Sequence, residues 1–175
     1  MQLVSHLYVL VGGWPGSGKS TLARALAEEL ALPYLGKDEV KEALMDAFGA
    51  PTTVEESQRL GRAAVIATLR VARTCPGAVI DSTWYDYTRP HVEQLVGRVV
   101  EIRCIADLAT VEARYRARQR DERHLDSQRS RDELWGQPVA PLGVGELIEV
   151  DTTGPVDVGD LARRLRASHG EVSPR

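Results

Sequence analysis

A glycine-rich loop between an apolar segment and a helical pattern constrains this sequence more than any other feature. Residues 13–20 read Gly-Trp-Pro-Gly-Ser-Gly-Lys-Ser, which satisfies the spacing G-x-x-x-x-G-K-[ST]. Glycines let backbone N–H groups surround a phosphate without side-chain clashes, and the following helix N-terminus adds the positive end of its dipole. Lys19 is expected to reach the β- and γ-phosphates, and the Ser20 hydroxyl to ligate Mg²⁺. The loop therefore predicts binding of a nucleoside triphosphate and its metal.

Strand-like and helix-like segments alternate along the rest of the chain. We predict strands at residues 6–11, 32–35, 78–80, 98–105 and 146–150, with helices between them. This alternation is typical of an α/β protein with a five-stranded parallel sheet and helices on both faces. Ligands of such sheets bind beyond the carboxyl ends of the strands. Gly13, Asp81 and residues 151–153 are therefore expected on one rim.

Composition narrows the class of protein further. A chain of 175 residues with 43% hydrophobic content predicts one domain, which we place at residues 1–168, followed by a disordered tail at 169–175. No apolar run is long enough for a membrane span, and the N-terminus lacks a basic leader. Cys75 and Cys104 have no metal-ligand spacing, so we expect a reduced, cytoplasmic protein. The net charge of −3 argues against a dedicated nucleic-acid binder.

Five segments together resemble small P-loop kinases: GGWPGSGKSTLA at residues 12–23, Asp38 after the second strand, VIDST at 79–83, RYRARQRDERH at 114–124 and IEVDTT at 148–153. The relatives include the polynucleotide 5′-kinase domain, zeta toxins, chloramphenicol phosphotransferase and gluconate kinase. The resemblance covers residues 6–168. It implies a nucleotide-kinase core, an arginine-bearing lid at about residues 120–142, and ATP with Mg²⁺.

The resemblance also implies nucleotide contacts along the loop and at the fifth strand. The residues expected to bind ATP are Gly13, Trp14, Pro15, Gly16, Ser17, Gly18, Lys19, Ser20, Thr21, Thr152 and Thr153. An ordinary strand-to-helix turn is the alternative for the last two.

Asp38 has two interpretations. Aspartate is a preferred N-cap and a helical pattern follows it, so a capping role is as reasonable as a catalytic one. The resemblance favours catalysis, because such kinases place an aspartate after the second strand to accept the proton of the acceptor hydroxyl. Lys41, one turn later, lies on the same face and could position the acceptor, or could be solvated.

The segment that follows the third strand is the candidate acceptor pocket. Asp81 ends that strand and could hold Mg²⁺, bind the acceptor or simply form a turn. Aromatic residues concentrate just after it, although they make up only 5% of the chain. We predict acceptor contacts from Thr83, Trp84, Tyr85 and Arg89; the alternative is that the aromatic rings fold back onto the core.

Arginines concentrate in the segment before the predicted lid. Seven of them fall between residues 114 and 131. If the helix continues through this segment, Arg116, Arg120 and Arg123 share one face, and Arg114 and Arg118 share another. We predict that the first three neutralise the transferring phosphoryl group and that the other two are solvated.

These features predict an ATP- and Mg²⁺-dependent phosphotransferase acting on a hydroxyl of a small molecule. The alternatives are a kinase of polynucleotide 5′-hydroxyl ends and, from another class, a nucleotide-dependent switch that acts through a protein partner.

Overall fold

The computed structural model describes residues 6–118, 121–137 and 139–167, and within these ranges five parallel strands form a sheet. The strand order is β2-β3-β1-β4-β5. The strands are β1 (Leu7–Gly13), β2 (Tyr34–Gly36), β3 (Gly77–Asp81), β4 (Arg98–Ile105) and β5 (Glu146–Asp151). All five predicted strands are present, and the α/β class is confirmed.

Helices follow or precede each strand, as parallel connections require. They are α1 (Lys19–Leu30), α2 (Lys37–Phe48), α3 (Val54–Ala72), α4 (Arg89–Val92), α5 (Leu108–Ala117), α6 (Arg131–Trp135) and α7 (Val158–Ala167). The caps of two helices follow the sequence signals. The Thr53 side chain accepts a hydrogen bond from Glu56 N, and Asp107 accepts one from Thr110 N.

The sheet separates two apolar layers. On one face, α1 and α7 pack against alternate residues of β1, including Val9 and Val11, which are fully buried. On the other face, α3 packs against the intervening residues, Tyr8 and Leu10. This alternation follows from the period of two in a strand. The layers hold β1 at the centre of the sheet, with the glycine-rich loop at its carboxyl end.

The arginine segment differs from the prediction. Helix α5 ends at Ala117, and Arg118 has extended backbone angles (φ −74°, ψ 136°). Arg123 lies in a separate short 3₁₀ helix, Glu122–His124. The predicted common face of Arg116, Arg120 and Arg123 therefore does not form, because one helix does not carry them. Arg120 itself lies outside the described residues, as do the predicted tail and residues 1–5.

Residues 127–142, which belong to the predicted lid, contain the helix α6. Ser130 caps α6: its hydroxyl accepts a hydrogen bond from Glu133 N, and the Glu133 carboxylate accepts one from Ser130 N. This capping box fixes the start of the helix. Helix α6 then places Trp135 beside the glycine-rich loop.

Candidate active site

The loop after β1 has the backbone that its glycines allow. Gly16 and Gly18 adopt positive φ angles of 86° and 83°, which side-chain-bearing residues rarely adopt. A Cβ atom at Gly16 would lie 2.3 Å from the carbonyl oxygen of Val111 on α5. Helix α1 begins directly afterwards at Lys19. The first N–H groups of α1 and those of the loop are therefore available to an anion.

Lys19 lies at the centre of a group of charges. Desolvation lowers the pKa of its ammonium group, while the nearby carboxylates of Asp81 and Asp38 act in the opposite direction. The cations Arg118 and Lys37 also lower that pKa. Residues from α1, α2, β3 and the end of α5 thus meet around one ammonium group. A partly buried cation of this kind favours an anionic ligand.

Asp81 ends β3 beside Lys19 and is only 7% exposed. Its Oδ2 accepts a hydrogen bond of 3.1 Å from the Tyr34 hydroxyl, whereas its buried Oδ1 has no hydrogen-bond partner among the described residues. Burial and the neighbouring carboxylate of Asp81 raise the pKa of Tyr34 strongly, so this phenol remains a donor. Tyr34 therefore fixes the orientation of Asp81 and leaves one carboxylate oxygen for another ligand.

Asp38 lies in the first turn of α2, and the helix N-cap is Gly36. The capping interpretation of Asp38 is therefore wrong. Its Oδ1 lies 2.6 Å from the ammonium nitrogen of Lys37, and its charge reaches Lys19. Because β2 ends next to Asp81 in the sheet register, the two carboxylates approach Lys19 from neighbouring strand ends.

A cavity of about 330 Å³ opens beside this group of charges. Two lysines and two arginines line it: Lys37, Lys41, Arg62 and Arg129. Lys41 is buried and donates a hydrogen bond of 2.6 Å to Ser57 Oγ, so it is not the solvated lysine of the alternative prediction. Thr83 and Tyr85 line the cavity, as expected for acceptor contacts. Its volume lies at the small end of the range for small-molecule sites, about 300–1,000 Å³.

Two predicted acceptor residues lie elsewhere. Trp84 is 6% exposed and packs in the core, where its indole N–H donates to the carbonyl of Val11. A Cβ atom at Gly12 would lie 2.6 Å from the Trp84 ring, so the ring packs directly against the start of the glycine loop. Arg89 begins α4, where its guanidinium lies near Gly143, and does not line the cavity. These two residues are corrections to the predicted acceptor pocket.

The arginines also redistribute between the predicted faces. The Arg116 side chain is 74% exposed and pairs with Glu112 one turn earlier, and Arg123 pairs with Asp121 and Asp46. Neither of them lines the cavity. Arg118, predicted to be solvated, instead lies over the Tyr115 ring at 4.4 Å and contributes to the electrostatic environment of Lys19.

Arg114 joins α5 to the loop after β5. Its guanidinium donates 2.8 Å hydrogen bonds to the carbonyls of Thr152 and Thr153. Thr152 in turn donates from its hydroxyl to the carbonyl of Ser17 in the glycine loop. A second cavity of about 320 Å³, lined by Gly18, Thr21, Arg114, Thr152 and Pro155 among others, lies along this junction. The prediction that Arg114 is solvated is therefore wrong.

Two tryptophans join the glycine loop to the segment around α6. Trp14 donates its indole N–H to the carbonyl of Gln137, and Trp135 donates to the carbonyl of Pro15. The Trp135 ring also packs edge-on against Tyr115, with ring centroids 5.2 Å apart. These contacts could not be predicted from the sequence, because the local pattern of residues 131–137 carries no information on contacts with a loop more than 110 residues earlier.

Comparisons with known proteins agree with this geometry. A family model described as an AAA domain matches residues 8–134. The chain belongs to this family. The resemblance to small P-loop kinases is thereby confirmed, and the loop at residues 13–20 is its P-loop.

Solved structures share the fold of this P-loop protein. A protein of Chloroflexus aurantiacus J-10-fl, provisionally assigned as a kinase, is 26% identical, with a TM-score of 0.79 over 97% of this chain and 98% of that one. A gluconokinase of Sinorhizobium meliloti 1021 is 19% identical, with a TM-score of 0.56 over 91% and 89% of the two chains. A shikimate kinase of Acinetobacter baumannii is 18% identical, with a TM-score of 0.52 over 97% and 96%.

The curated relatives are longer proteins. The uncharacterized protein Rv2004c of Mycobacterium tuberculosis is 35% identical over 128 residues, which cover 62% of this chain and 25% of that protein. An uncharacterized protein of Mycobacterium bovis, Mb2027c, matches to the same extent. The match thus spans about a quarter of their length.

The described part of the P-loop protein can be tested for its fit to magnesium. It contains no cluster of three or more His, Cys, Asp or Glu side chains with the geometry of a metal site. Mg²⁺ in nucleotide sites is usually held by one or two protein oxygens together with water and ligand phosphates, and does not need a protein cage. The unpartnered Oδ1 of Asp81 is a carboxylate oxygen that fits such a metal. Among the described helices, none has both the length and the apolar character needed to cross a membrane.

Proposed function

We propose that this chain transfers the γ-phosphoryl group of ATP to a hydroxyl group of a small molecule, with Mg²⁺. The observation that most supports the proposal is the position of the Lys37–Asp38 pair. Lys37 lines the 330 Å³ cavity, and both charges of the pair act on the P-loop residue Lys19. The pair thus connects a nucleotide-binding loop, on which both of its charges act, with a cavity of acceptor size, which Lys37 lines.

The P-loop residues would hold the triphosphate. Backbone N–H groups at Gly16, Gly18 and Lys19 would bind its oxygens. Lys19 would neutralise their charge, and the 320 Å³ cavity beside Arg114 would receive the base. The Ser20 hydroxyl and Asp81 would hold Mg²⁺, directly or through water. When bound, ATP supplies the phosphoryl group, and Mg²⁺ offsets the charge on its oxygens.

Asp38 is proposed to orient the acceptor hydroxyl and to accept its proton. Its Oδ1 lies 2.6 Å from the Lys37 ammonium nitrogen, so the carboxylate is held beside the cavity that Lys37 lines. Arg118 is proposed to stabilise the charge that develops on the phosphoryl oxygens. It takes the role that the sequence predicts for Arg116, Arg120 and Arg123. Most of the acceleration would come from positioning and electrostatic stabilisation.

Three observations support a small molecule as the acceptor. The cavity has a volume of about 330 Å³, which suits a small molecule. The chain carries a net charge of −3, whereas nucleic-acid binders usually carry a basic surplus. Two structural neighbours are named as a gluconokinase and a shikimate kinase. The proposal takes residues 1–168 as one kinase domain.

A screen for acceptor-dependent ATP consumption tests the proposal. The purified chain is incubated with ATP, Mg²⁺ and, in turn, sugars, hydroxy acids, nucleosides, antibiotics and 5′-hydroxyl DNA or RNA. We expect ADP release to rise with a small hydroxylated compound, and mass spectrometry to show that compound with one added phosphoryl group. ATP turnover that no acceptor changes would indicate an NTPase or switch instead. Transfer to nucleic-acid ends alone would favour the polynucleotide alternative.

A further inference from the structure

The charge of the acceptor cavity is opposite in sign to the charge of the chain. Lys37, Lys41, Arg62 and Arg129 line it, against one carboxylate, Asp126. The whole chain has a net charge of −3. Positive charges close together repel one another, so a lining of this kind needs negatively charged or hydrogen-bond-accepting groups beside it.

Part of the lining is already paired within the protein. Lys37 pairs with Asp38 at 2.6 Å, and Lys41 donates to Ser57 Oγ at 2.6 Å. The carboxylate of Asp126 accepts a hydrogen bond from Arg118 at 3.1 Å. Asp126 is therefore engaged by an arginine from outside the cavity lining. The remaining cations of the cavity are the two arginines.

The side chains of Arg62 and Arg129 form no ion pair or hydrogen bond with the residues that the structure describes. Arg129 comes from the segment before α6, and its Nε is buried without a hydrogen-bond acceptor. Arg62 extends from α3, with its guanidinium 5.2 Å from the centre of the Tyr87 ring. A buried donor without an acceptor is unfavourable, so the Arg129 donor suits an acceptor atom supplied by a ligand.

We propose that the acceptor molecule carries an anionic group, a carboxylate or a phosphate monoester, that Arg62 and Arg129 bind. The inference rests on the proposed function for its second half, in which a hydroxyl of the same molecule is presented to Asp38. Guanidinium groups suit this task because their planar fork can donate two parallel hydrogen bonds to such an anion. The stacked rings of Tyr85 and Tyr87, 6.0 Å apart, give the same cavity an apolar wall. The acceptor is thus a compact hydroxylated acid or phosphate ester.

Equilibrium binding of matched compounds tests the inference independently of catalysis. The pairs are D-gluconate with D-glucitol, shikimate with its methyl ester, and D-glucose 6-phosphate with D-glucose. All titrations contain saturating ADP and Mg²⁺, because a vacant P-loop would itself bind anions. We expect the anionic member of at least one pair to bind roughly 10- to 100-fold more tightly than its neutral partner. The first two pairs report a carboxylate, and the third reports a phosphate ester.

Variants then assign the preference to the two arginines. Arg62→Gln and Arg129→Gln should each remove most of the preference for the anion and leave the affinity for ADP unchanged. Arg70→Gln is the matched control, since Arg70 lies on the same helix as Arg62 and is likewise exposed, but does not line the cavity. Equal losses in all three variants would show a general effect of surface charge and overturn the inference.

The outcomes separate this inference from the proposed kinase activity. If no pair shows a preference for the anion, or if only neutral acceptors are phosphorylated, the inference is wrong and the kinase proposal stands or falls on the acceptor screen. If an anion binds through the two arginines but ATP is never consumed with it, the anion site stands and the kinase proposal fails. A lowered affinity for ADP in Arg129→Gln would mean that this arginine serves the nucleotide, which contradicts the inference.

Discussion

Arg116 and Arg118 lie two positions apart in the chain, and their surroundings differ in kind. The Arg116 side chain is 74% exposed, and its partner is a neighbouring glutamate on the same helix. Arg118 is 31% exposed, stacks on Tyr115, pairs with Asp126 and acts on the charge of Lys19. Of these two arginines, Arg118 is therefore the one that links Lys19 of the P-loop to Asp126 in the wall of the 330 Å³ cavity.

This difference predicts a difference in catalysis. Arg118→Ala should lower the single-turnover rate of phosphoryl transfer about 10²-fold or more, because an arginine that stabilises phosphoryl charge contributes at least that much. Arg118→Lys should rescue little, since a point charge does not reproduce the guanidinium fork. Arg116→Ala is the control and should change the rate less than about twofold. Similar losses at both positions would argue against a specific role for Arg118.

Single residues also show what the sequence can predict. The alternation of elements predicts Gly13 and Asp81 on one rim, and the structure has both at the carboxyl ends of neighbouring strands. Tyr34 was missed, although it holds Asp81. A tyrosine at the start of a three-residue strand has no motif, and its partner is 47 residues away. Contacts of that separation depend on the register between β2 and β3, which local patterns do not carry.

Among the elements, α5 is the one whose length was misjudged. Its continuation past Ala117 contains arginine, glutamine and glutamate, which are good helix formers, with no glycine or proline to stop it. The chain nevertheless turns at Arg118, where its guanidinium stacks on Tyr115 and pairs with Asp126. Tertiary contacts thus override a propensity worth less than 1 kcal/mol per residue. The predicted faces of the arginines are wrong for the same reason, because they assume a helix that continues past Ala117.

A buried carboxylate attaches the segment before β5 to the sheet. Glu101 on β4 is 6% exposed and accepts hydrogen bonds from the backbone N–H groups of Leu142 and Val144, at 2.6 and 2.8 Å. Glu101→Ala leaves both donors without an acceptor, which should lower the free energy of unfolding by about 2–5 kcal/mol. Urea denaturation followed by circular dichroism measures the change.

The control for this element is Glu149→Ala on the neighbouring strand. The Glu149 side chain is 52% exposed and forms a surface pair with Arg103, so its loss should cost at most about 1 kcal/mol. If both variants lose the same stability, the backbone hydrogen bonds of Glu101 do not hold the segment in the way described.

For the whole molecule, the sheet order sets the relation between the two cavities. The P-loop follows the central strand β1, β2 and β3 end on one side of it, and β4 and β5 end on the other. The acceptor cavity lies toward α2 and α3, and the cavity beside Arg114 lies toward β5. The fold class and this rim could be predicted from the alternation of elements. Thr83 and Tyr85 in the cavity lining could also be predicted. Arg62 and Arg129 could not, because only tertiary packing brings them to the same cavity.

We propose that the P-loop and the cavity beside the Lys37–Asp38 pair form one phosphoryl-transfer site. The most direct test compares Asp38→Asn with Lys19→Ala, measuring the ATP-Mg²⁺-induced rise in melting temperature and the rate of transfer to the acceptor found in the screen. Ligands that bind only the native state raise its stability. We predict that Lys19→Ala loses both the rise and the transfer. Asp38→Asn should keep the rise but transfer about 10²–10⁴-fold more slowly, as expected when a general base is removed. Near-normal transfer by Asp38→Asn, or no rise in the wild-type protein at any magnesium concentration, would contradict the claim.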